Sequence, residues 1–292
     1  MRSGAARLRE LMAREVPPVI PLVMDPLAAK LAEASGFEAL YLGGGALGYV
    51  KTVTEANLTL TQLCQAGLEV RAACDLPLIL DGACGYGEPM HLHNTMAMSE
   101  AAGFAAIEIE DQLIPKRAHH HIGIEHLIPI EQMAQKIREA AAARRDPDFV
   151  VIARTNACRT DNLDEALRRS EAYREAGADM LLVLPKTPEQ ARAIGERIGG
   201  PLYYMMLGGV ASMDMTAEEL GRLGYRLIGD AVTPLLASFK ALRECYQALA
   251  AGRVDPTVAS AYRDEDRLIR ETIDLQKLVD VERRTVERAT TH

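Results

Sequence analysis

Short aliphatic runs in this chain end repeatedly on residues able to do chemistry. Gly43-Gly44-Gly45 follows one run, Asp81 another, Glu110-Asp111-Gln112 a third and Arg154-Thr155-Asn156 a fourth. Three acids and one arginine in that order suggest a site for a hard cation beside an anionic ligand. Carboxylates separated by water suit Mg²⁺, which keeps several waters and takes few protein oxygens directly, and the sequence leaves Mn²⁺ open as the alternative ion. Arg154 offers a planar fork for a carboxylate or an enolate oxygen, and the glycines let backbone N–H groups approach a second carboxylate. Taken singly, each feature has a plainer explanation: an Asp at a strand end caps a helix, a glycine triplet makes a turn, and an arginine forms a structural ion pair. Their order along the chain gives them weight.

The elements that would position them alternate. Strand-like runs are expected at Val19 to Met24, Ala39 to Gly43, Leu78 to Asp81, Ala105 to Asp111, Phe149 to Thr155, Met180 to Leu184, Leu202 to Met206 and Arg226 to Gly229. Helical patterns lie between them, among them Pro26 to Ser35, Thr61 to Ala73, Ile130 to Arg145, Leu163 to Ala176 and Pro188 to Ile198, several closed by a glycine such as Gly36, Gly103 or Gly177. Eight such units predict an α/β fold, a (β/α)8 TIM barrel over residues 1–252 whose functional residues gather at the C-terminal ends of the strands. A doubly wound sheet is the rival, but no G-x-G-x-x-G turn opens it. After the eighth strand, Pro234 to Ala251 and Pro256 to Thr290 read as helix, and residues 253–292 form a C-terminal helical extension. Its apolar stripe, Leu268, Ile269, Ile273, Leu275, Leu278 and Val279, is expected to pack on the barrel or to oligomerise the chain.

Composition narrows the partners. The 292 residues carry a formal charge of −8, without a Lys/Arg run long enough for a nucleic-acid or polybasic membrane patch. No stretch approaches the roughly 20 apolar residues of a membrane span, and the N-terminus lacks an apolar leader core, so a cytoplasmic protein is expected. Cys64, Cys74, Cys84, Cys158 and Cys245 are scattered without C-x-x-C spacing, which predicts reduced thiols. His119-His120-His121 could ligate a transition metal or supply an acid or base near neutrality; a solvated segment is the plainer reading.

Several motifs in collinear order resemble those of the isocitrate lyase and phosphoenolpyruvate mutase superfamily. They are Ala39-Leu-Tyr-Leu-Gly-Gly-Gly, Asp81-Gly-Ala-Cys-Gly-Tyr-Gly, Ile107-Glu-Ile-Glu-Asp-Gln, Pro115-Lys-Arg-Ala-His-His and Ile152-Ala-Arg-Thr-Asn-Ala, and the match runs from about residue 15 to 250. The resemblance implies a Mg²⁺-dependent barrel acting on a small carboxylic acid through a pyruvate-like enolate. It implies Asp81 as the direct metal ligand, with Glu110 and Asp111 holding the ion through water. Tyr41, Gly43, Gly44, Gly45, Asp81, Arg154, Asn156 and Met205 would surround the substrate, and Arg154, Glu110, Lys116 and His120 would serve catalysis. A homotetramer, built as a dimer of dimers, is also implied.

This chain departs from the family pattern at informative positions. The family's D-x-D-T-G-[YF]-G reads Asp81-Gly82-Ala83-Cys84-Gly85-Tyr86-Gly87, so one metal-site acid is missing. A serine common before the glycines is Gly43, and Glu55 is the nearest candidate for the acid of the loop after the second strand. The catalytic cysteine of K-[KR]-C-G-H is Ala118, and the N-M-x-E segment that binds a distal carboxylate has become Met205-Met206-Leu207-Gly208-Gly209. Cys84 could be a replacement nucleophile or a small buried thiol. These changes point to a lyase or decarboxylase for a small 2-oxo or 2-hydroxy acid. The alternatives are a phosphonopyruvate-type mutase or hydrolase and, in another class, a barrel that only binds.

Overall fold

A computed structural model describes residues 2–160, 162–206 and 214–287. Eight strands follow one another: β1 (Val19–Pro21), β2 (Leu40–Leu42), β3 (Leu78–Asp81), β4 (Ala106–Glu110), β5 (Val150–Thr155), β6 (Met180–Val183), β7 (Leu202–Met206) and β8 (Tyr225–Asp230). Every pairing is parallel, in the order β1-β8-β7-β6-β5-β4-β3-β2. The circle closes beyond Pro21, where Leu22 bridges Tyr41 and the Val23 N–H donates to the Tyr41 carbonyl at 2.8 Å. This is why β1 ends earlier than its apolar run: Leu22 and Val23 already turn toward β2. The (β/α)8 barrel expected from the alternation is the observed fold.

Strands buried on both faces must be apolar nearly throughout, which is how β3 and β5 read until their last residues, whereas β4 alternates Ile with Glu from Ile107 onward. Helices α1 (Gly4–Met12) and α2 (Pro26–Ala34) precede α3 (Gly44–Val50), α4 (Leu60–Ala73), α5 (Leu92–Ala101), α6 (Ile130–Ala143), α7 (Leu163–Glu175), α8 (Pro188–Ile198) and α9 (Ala217–Arg222). Their starts follow side-chain chemistry. The Asp25 carboxylate accepts from the Ala28 N–H at 2.8 Å ahead of Pro26, and Thr59 with Gln62 forms a reciprocal cap. The glycine triplet is the entry to α3 rather than a free turn.

The chain divides into two compact units, Met1–Leu235 and Leu236–His292. The second holds most of α10 (Thr233–Ala250), then α11 (Pro256–Thr272) and α12 (Leu275–Thr285). One continuous helix was the expectation for the tail; instead it breaks at Asp274, whose φ of +54° is left-handed and cannot continue a helix. Leu268, Ile269, Ile273 and Leu278 of the expected stripe are exposed. Among the described residues, no helix is long and apolar enough to cross a membrane.

Candidate active site

The polar strand ends converge. Register places Asp81 beside Glu108 and Glu110 beside Arg154, while Tyr41 comes from the start of the same rim. Side chains alternate along a strand, so Glu108 and Glu110 share the barrel-facing side of β4, whereas Ile107, Ile109 and Asp111 face the helices. Asp111 therefore stands apart from the other acids. Its Oδ2 accepts from Arg169 Nη1 at 3.0 Å and from the Tyr173 hydroxyl at 2.9 Å, both on α7, and its Oδ1 accepts from the Asn156 N–H at 3.2 Å. The structure gives it a role in fastening β4 and β5 to α7, in place of the water-mediated metal contact expected for it.

Glu108, which the sequence reading passed over, takes its place in the cluster. Its Oε1 accepts from Arg154 Nη1 at 2.7 Å and its Oε2 from the Tyr41 hydroxyl at 3.2 Å. Burial pushes this carboxyl up to about 7, against the opposing pull of Arg154. The alternation of Ile107-Glu108-Ile109-Glu110 was the signal available in the sequence. Asn156 then ties Arg154 to Glu110: its Oδ1 accepts from Arg154 Nε at 3.0 Å and its Nδ2 donates to Glu110 Oε2 at 2.8 Å. With Nε and Nη1 committed, Nη2 is the donor that Arg154 keeps for a ligand among the described residues.

Lys116 enters from the loop after β4 and pairs with both Glu110 and Glu55. Glu110 is buried, which alone would raise it, yet Lys116 and Arg154 outweigh burial and hold it far below the usual carboxylate range. Lys116 is raised in turn, because Glu110, Glu55 and Asp81 overcome its own burial. It is therefore a fixed cation and a poor proton donor near neutrality. Glu55 arrives by a close approach: the Val53 N–H donates to the Gly48 carbonyl at 2.9 Å, and a Cβ on Gly48 would stand 2.8 Å from the Glu55 nitrogen. Only glycine lets the segment before Glu55 lie on α3. Burial raises the Glu55 carboxyl despite Lys116.

Asp81 accepts from the Gly44 N–H at 2.9 Å through Oδ2 and from the Ala83 N–H at 3.0 Å through Oδ1. Gly44 thus holds Asp81, while Gly43 and Gly45 line the cavity above the cluster. His120 is buried there, its Nδ1 2.9 Å from Glu125 and its Nε2 3.5 Å from Glu55. Ala118 and His119 are exposed. Arg159, a further residue the sequence reading missed, binds Glu125 through Nε at 2.8 Å and borders the same cavity, as does Met205. Gly208 lies outside the described residues. The cavity measures about 180 Å³, below the roughly 300–1,000 Å³ of drug-sized pockets.

The cluster suits a hard divalent ion. Glu55, Asp81, Glu108 and Glu110 outnumber Lys116 and Arg154 by two, all six being buried or nearly so, and an uncompensated buried carboxylate is costly. The donors are carboxylate oxygens, although among the described residues no group of three His, Cys, Asp or Glu side chains stands arranged to hold a metal ion. Carboxylate oxygens are the donor type Mg²⁺ takes, and that ion fills the rest of its shell with water. Cys84 is close, with Sγ 3.8 Å from Glu110 Oε1, but burial and then the Glu110 charge raise its thiol far above neutrality. Its surroundings disfavour the thiolate that a nucleophile needs and favour the reading as a small buried thiol.

A family model described as phosphoenolpyruvate phosphomutase matches residues 8–250. The chain belongs to that family. The resemblance to the isocitrate lyase and phosphoenolpyruvate mutase superfamily read from the motifs is therefore borne out. Among relatives, a 2,3-dimethylmalate lyase of Eubacterium barkeri is 33% identical over 248 residues, covering 84% of this chain and 86% of that protein. An oxaloacetate decarboxylase of Pseudomonas putida is 34% identical over 226 residues, 76% of each chain. The solved structure of a phosphonopyruvate hydrolase with oxalate and Mg²⁺ superimposes with a TM-score of 0.85 at 28% identity, covering 98% of this chain and 100% of that one. Proteins similar to this one thus include a lyase, a decarboxylase and a phosphonopyruvate hydrolase.

Proposed function

We propose that this chain is a Mg²⁺-dependent lyase or decarboxylase that acts on a small 2-oxo or 2-hydroxy carboxylic acid by breaking a carbon–carbon bond whose electron pair passes into a pyruvate-like enolate. The observation that carries the reading is the buried, acid-rich cluster of Asp81, Glu110, Glu55 and Glu108 around Arg154 and Lys116, opening on a cavity sized for a few heavy atoms. Bound Mg²⁺ would supply positive charge to the substrate oxygen on which the electron pair collects. Asp81 would hold it directly, with Glu110 and Glu55 holding it through water.

The protein's own groups do the rest by position. Arg154, locked by Glu108 and Asn156, presents its remaining donor edge to the substrate carboxylate, and pre-set donors of this kind usually contribute the largest share of rate enhancement. Lys116 keeps Glu110 ionised. In a short 2-oxo acid that carries a second carboxylate on C3, loss of that carboxylate as CO₂ sends the C3–C4 electron pair to the 2-oxo oxygen as an enolate, and C3 can then take its proton from water at the mouth. Retro-aldol cleavage of a larger acid would need a positioned donor where this chain has the exposed Ala118.

The test is a substrate panel at saturating Mg²⁺, scored for CO₂, pyruvate, glyoxylate and phosphate. The expected result is CO₂ or pyruvate from a short 2-oxo or 2-hydroxy acid, with negligible glyoxylate from isocitrate or 2-methylisocitrate. Efficient glyoxylate release would overturn the reading, and phosphate from phosphonopyruvate would move the chain to phosphonate chemistry.

A further inference from the structure

One buried cation takes no part in the acidic cluster. Lys136 on α6 is 1% exposed, and among the described residues its ammonium forms no ion pair but donates to the Cys84 carbonyl. Burial lowers its pKa, opposed by Cys84, Glu88, Glu110 and Asp111. A buried ammonium without a paired carboxylate is costly, so its presence calls for a reason in the group it holds. The Cys84 carbonyl belongs to a strained turn. Ala83 has a φ of +46° and Tyr86 a φ of +58°, both left-handed although neither residue is glycine. Ala83 also links the two expected metal-site acids: its N–H donates to Asp81 Oδ1 at 3.0 Å, and its carbonyl accepts from the Glu110 N–H at 2.8 Å. Two side chains hold this turn from outside, Lys136 on the Cys84 carbonyl and the buried Thr95 hydroxyl of α5, which donates to the Gly85 carbonyl at 2.9 Å. Lys136 alone of the two brings a charge, and a charge-assisted hydrogen bond is about twice as strong as a neutral one. Gln132, one turn earlier on α6, reaches past the turn to Glu88 at 2.7 Å.

We propose that Lys136 is a positioning residue for the metal site: by holding the Cys84 carbonyl, its ammonium keeps Ala83 in the left-handed form that ties Asp81 to Glu110. The inference rests on the function proposed above for the ion that these acids serve. Lys136 touches neither substrate nor reacting atoms and acts through the backbone of the turn. Its charge by itself works the other way, because a cation near the cluster repels Mg²⁺. Loss of position and loss of charge therefore move Mg²⁺ affinity in opposite directions.

The experiment uses the full-length protein and Lys136→Met, which keeps an unbranched side chain without the ammonium. Hydrogen exchange in the absence of metal reads the Glu110 N–H, and calorimetry reads Mg²⁺ affinity. Exchange at Glu110 is expected to quicken by about tenfold or more, the scale of one hydrogen bond to a charged group, and Mg²⁺ affinity to fall by a similar factor. The Val150 N–H, bonded to the Ala105 carbonyl within the barrel, should exchange as in the wild type. Gln132→Leu, which removes the neighbouring contact of α6, should change neither quantity. Circular dichroism checks folding; if Lys136→Met does not fold, Lys136→Gln, with a shorter uncharged donor, carries the same expectations at about threefold. Unchanged exchange at Glu110, or an Mg²⁺ affinity that stays level or rises, would overturn the inference. Matching changes in Gln132→Leu would make the effect one of α6 packing and would overturn it as well. Failure of the wild type to bind Mg²⁺ would instead remove the proposed function, and exchange at Glu110 in the metal-free protein would still decide whether Lys136 holds the turn.

Discussion

Asp111 offers the sharpest trial of the structural assignment, because sequence and structure give it different work. Asp111→Ala would leave the Arg169 guanidinium and the Tyr173 hydroxyl, both buried, without their shared acceptor, and would free the Asn156 N–H. Removing one partner of a buried ion pair typically costs about 3–5 kcal/mol. Glu165 still faces Arg169 at 2.8 Å, which places the expectation near the lower end, about 3 kcal/mol. In a chain of this size that is a fall in melting temperature on the order of 5–10 °C. Urea unfolding with and without Mg²⁺ gives the stability, and calorimetry at a temperature where the variant is folded gives its Mg²⁺ affinity. The expected pattern is a large stability loss with affinity reduced only modestly, through Asn156 and the Glu110 it supports. A variant as stable as wild type that no longer binds Mg²⁺ would refute the reasoning and return Asp111 to the metal site.

Asp81→Asn should show the converse: Mg²⁺ binding and turnover lost, with stability changed by about 1 kcal/mol, since the amide oxygen can still accept from the Gly44 or Ala83 N–H; full turnover in this variant would refute the metal assignment. Gly48→Ala should displace the backbone before Glu55 and lower Mg²⁺ affinity and turnover together, which titration and initial rates would detect. The second unit, whose Leu236, Phe239, Leu242 and Tyr246 are each more than half exposed, is expected to pack on another copy of the chain; sedimentation showing a monodisperse monomer would count against the proposed homo-oligomer. Ala118→Cys is expected not to confer isocitrate cleavage, because a restored donor, worth about 10²- to 10⁴-fold, does not rebuild recognition of the third carboxylate; glyoxylate release by this variant would show otherwise.

The sequence was most legible where one physical rule acted alone. Period and length marked all eight strands, and positions such as Asp81 and Arg154 at their ends followed from barrel geometry. Asp111 was grouped with Glu110 as one acidic patch, although neighbouring strand residues point to opposite faces. Applied strictly, that alternation brings Glu108 in and sends Asp111 out. Arg159 and Glu125 were beyond such reasoning, since they meet through the tertiary path of two loops. The tail kink at Asp274 had no local marker, because neither Gly nor Pro stands there.

The excess of acids over bases also predicts how the metal-free protein responds to pH. Glu108 has its folded value raised from the ordinary 4.5 to about 7, so the folded state holds a proton that the unfolded state releases first. Its contribution to stability is therefore fully present below about pH 4.5 and disappears as the pH rises through 7. Between pH 5.5 and 8 that amounts to about 2 kcal/mol for this fully buried group, at about 1.4 kcal/mol per tenfold change. Urea unfolding in the presence of a chelator should show the metal-free protein weakening across this interval, and Glu108→Gln should flatten the dependence. Added Mg²⁺ should offset the loss at the alkaline end, where Glu108 is ionised and two negative charges stand uncompensated beside Arg154 and Lys116. A chelated protein that grows more stable from pH 5.5 to 8, with the same slope in Glu108→Gln, would mean that the charge in the cluster is balanced without an ion. The electrostatic case for Mg²⁺ at this site would then be lost.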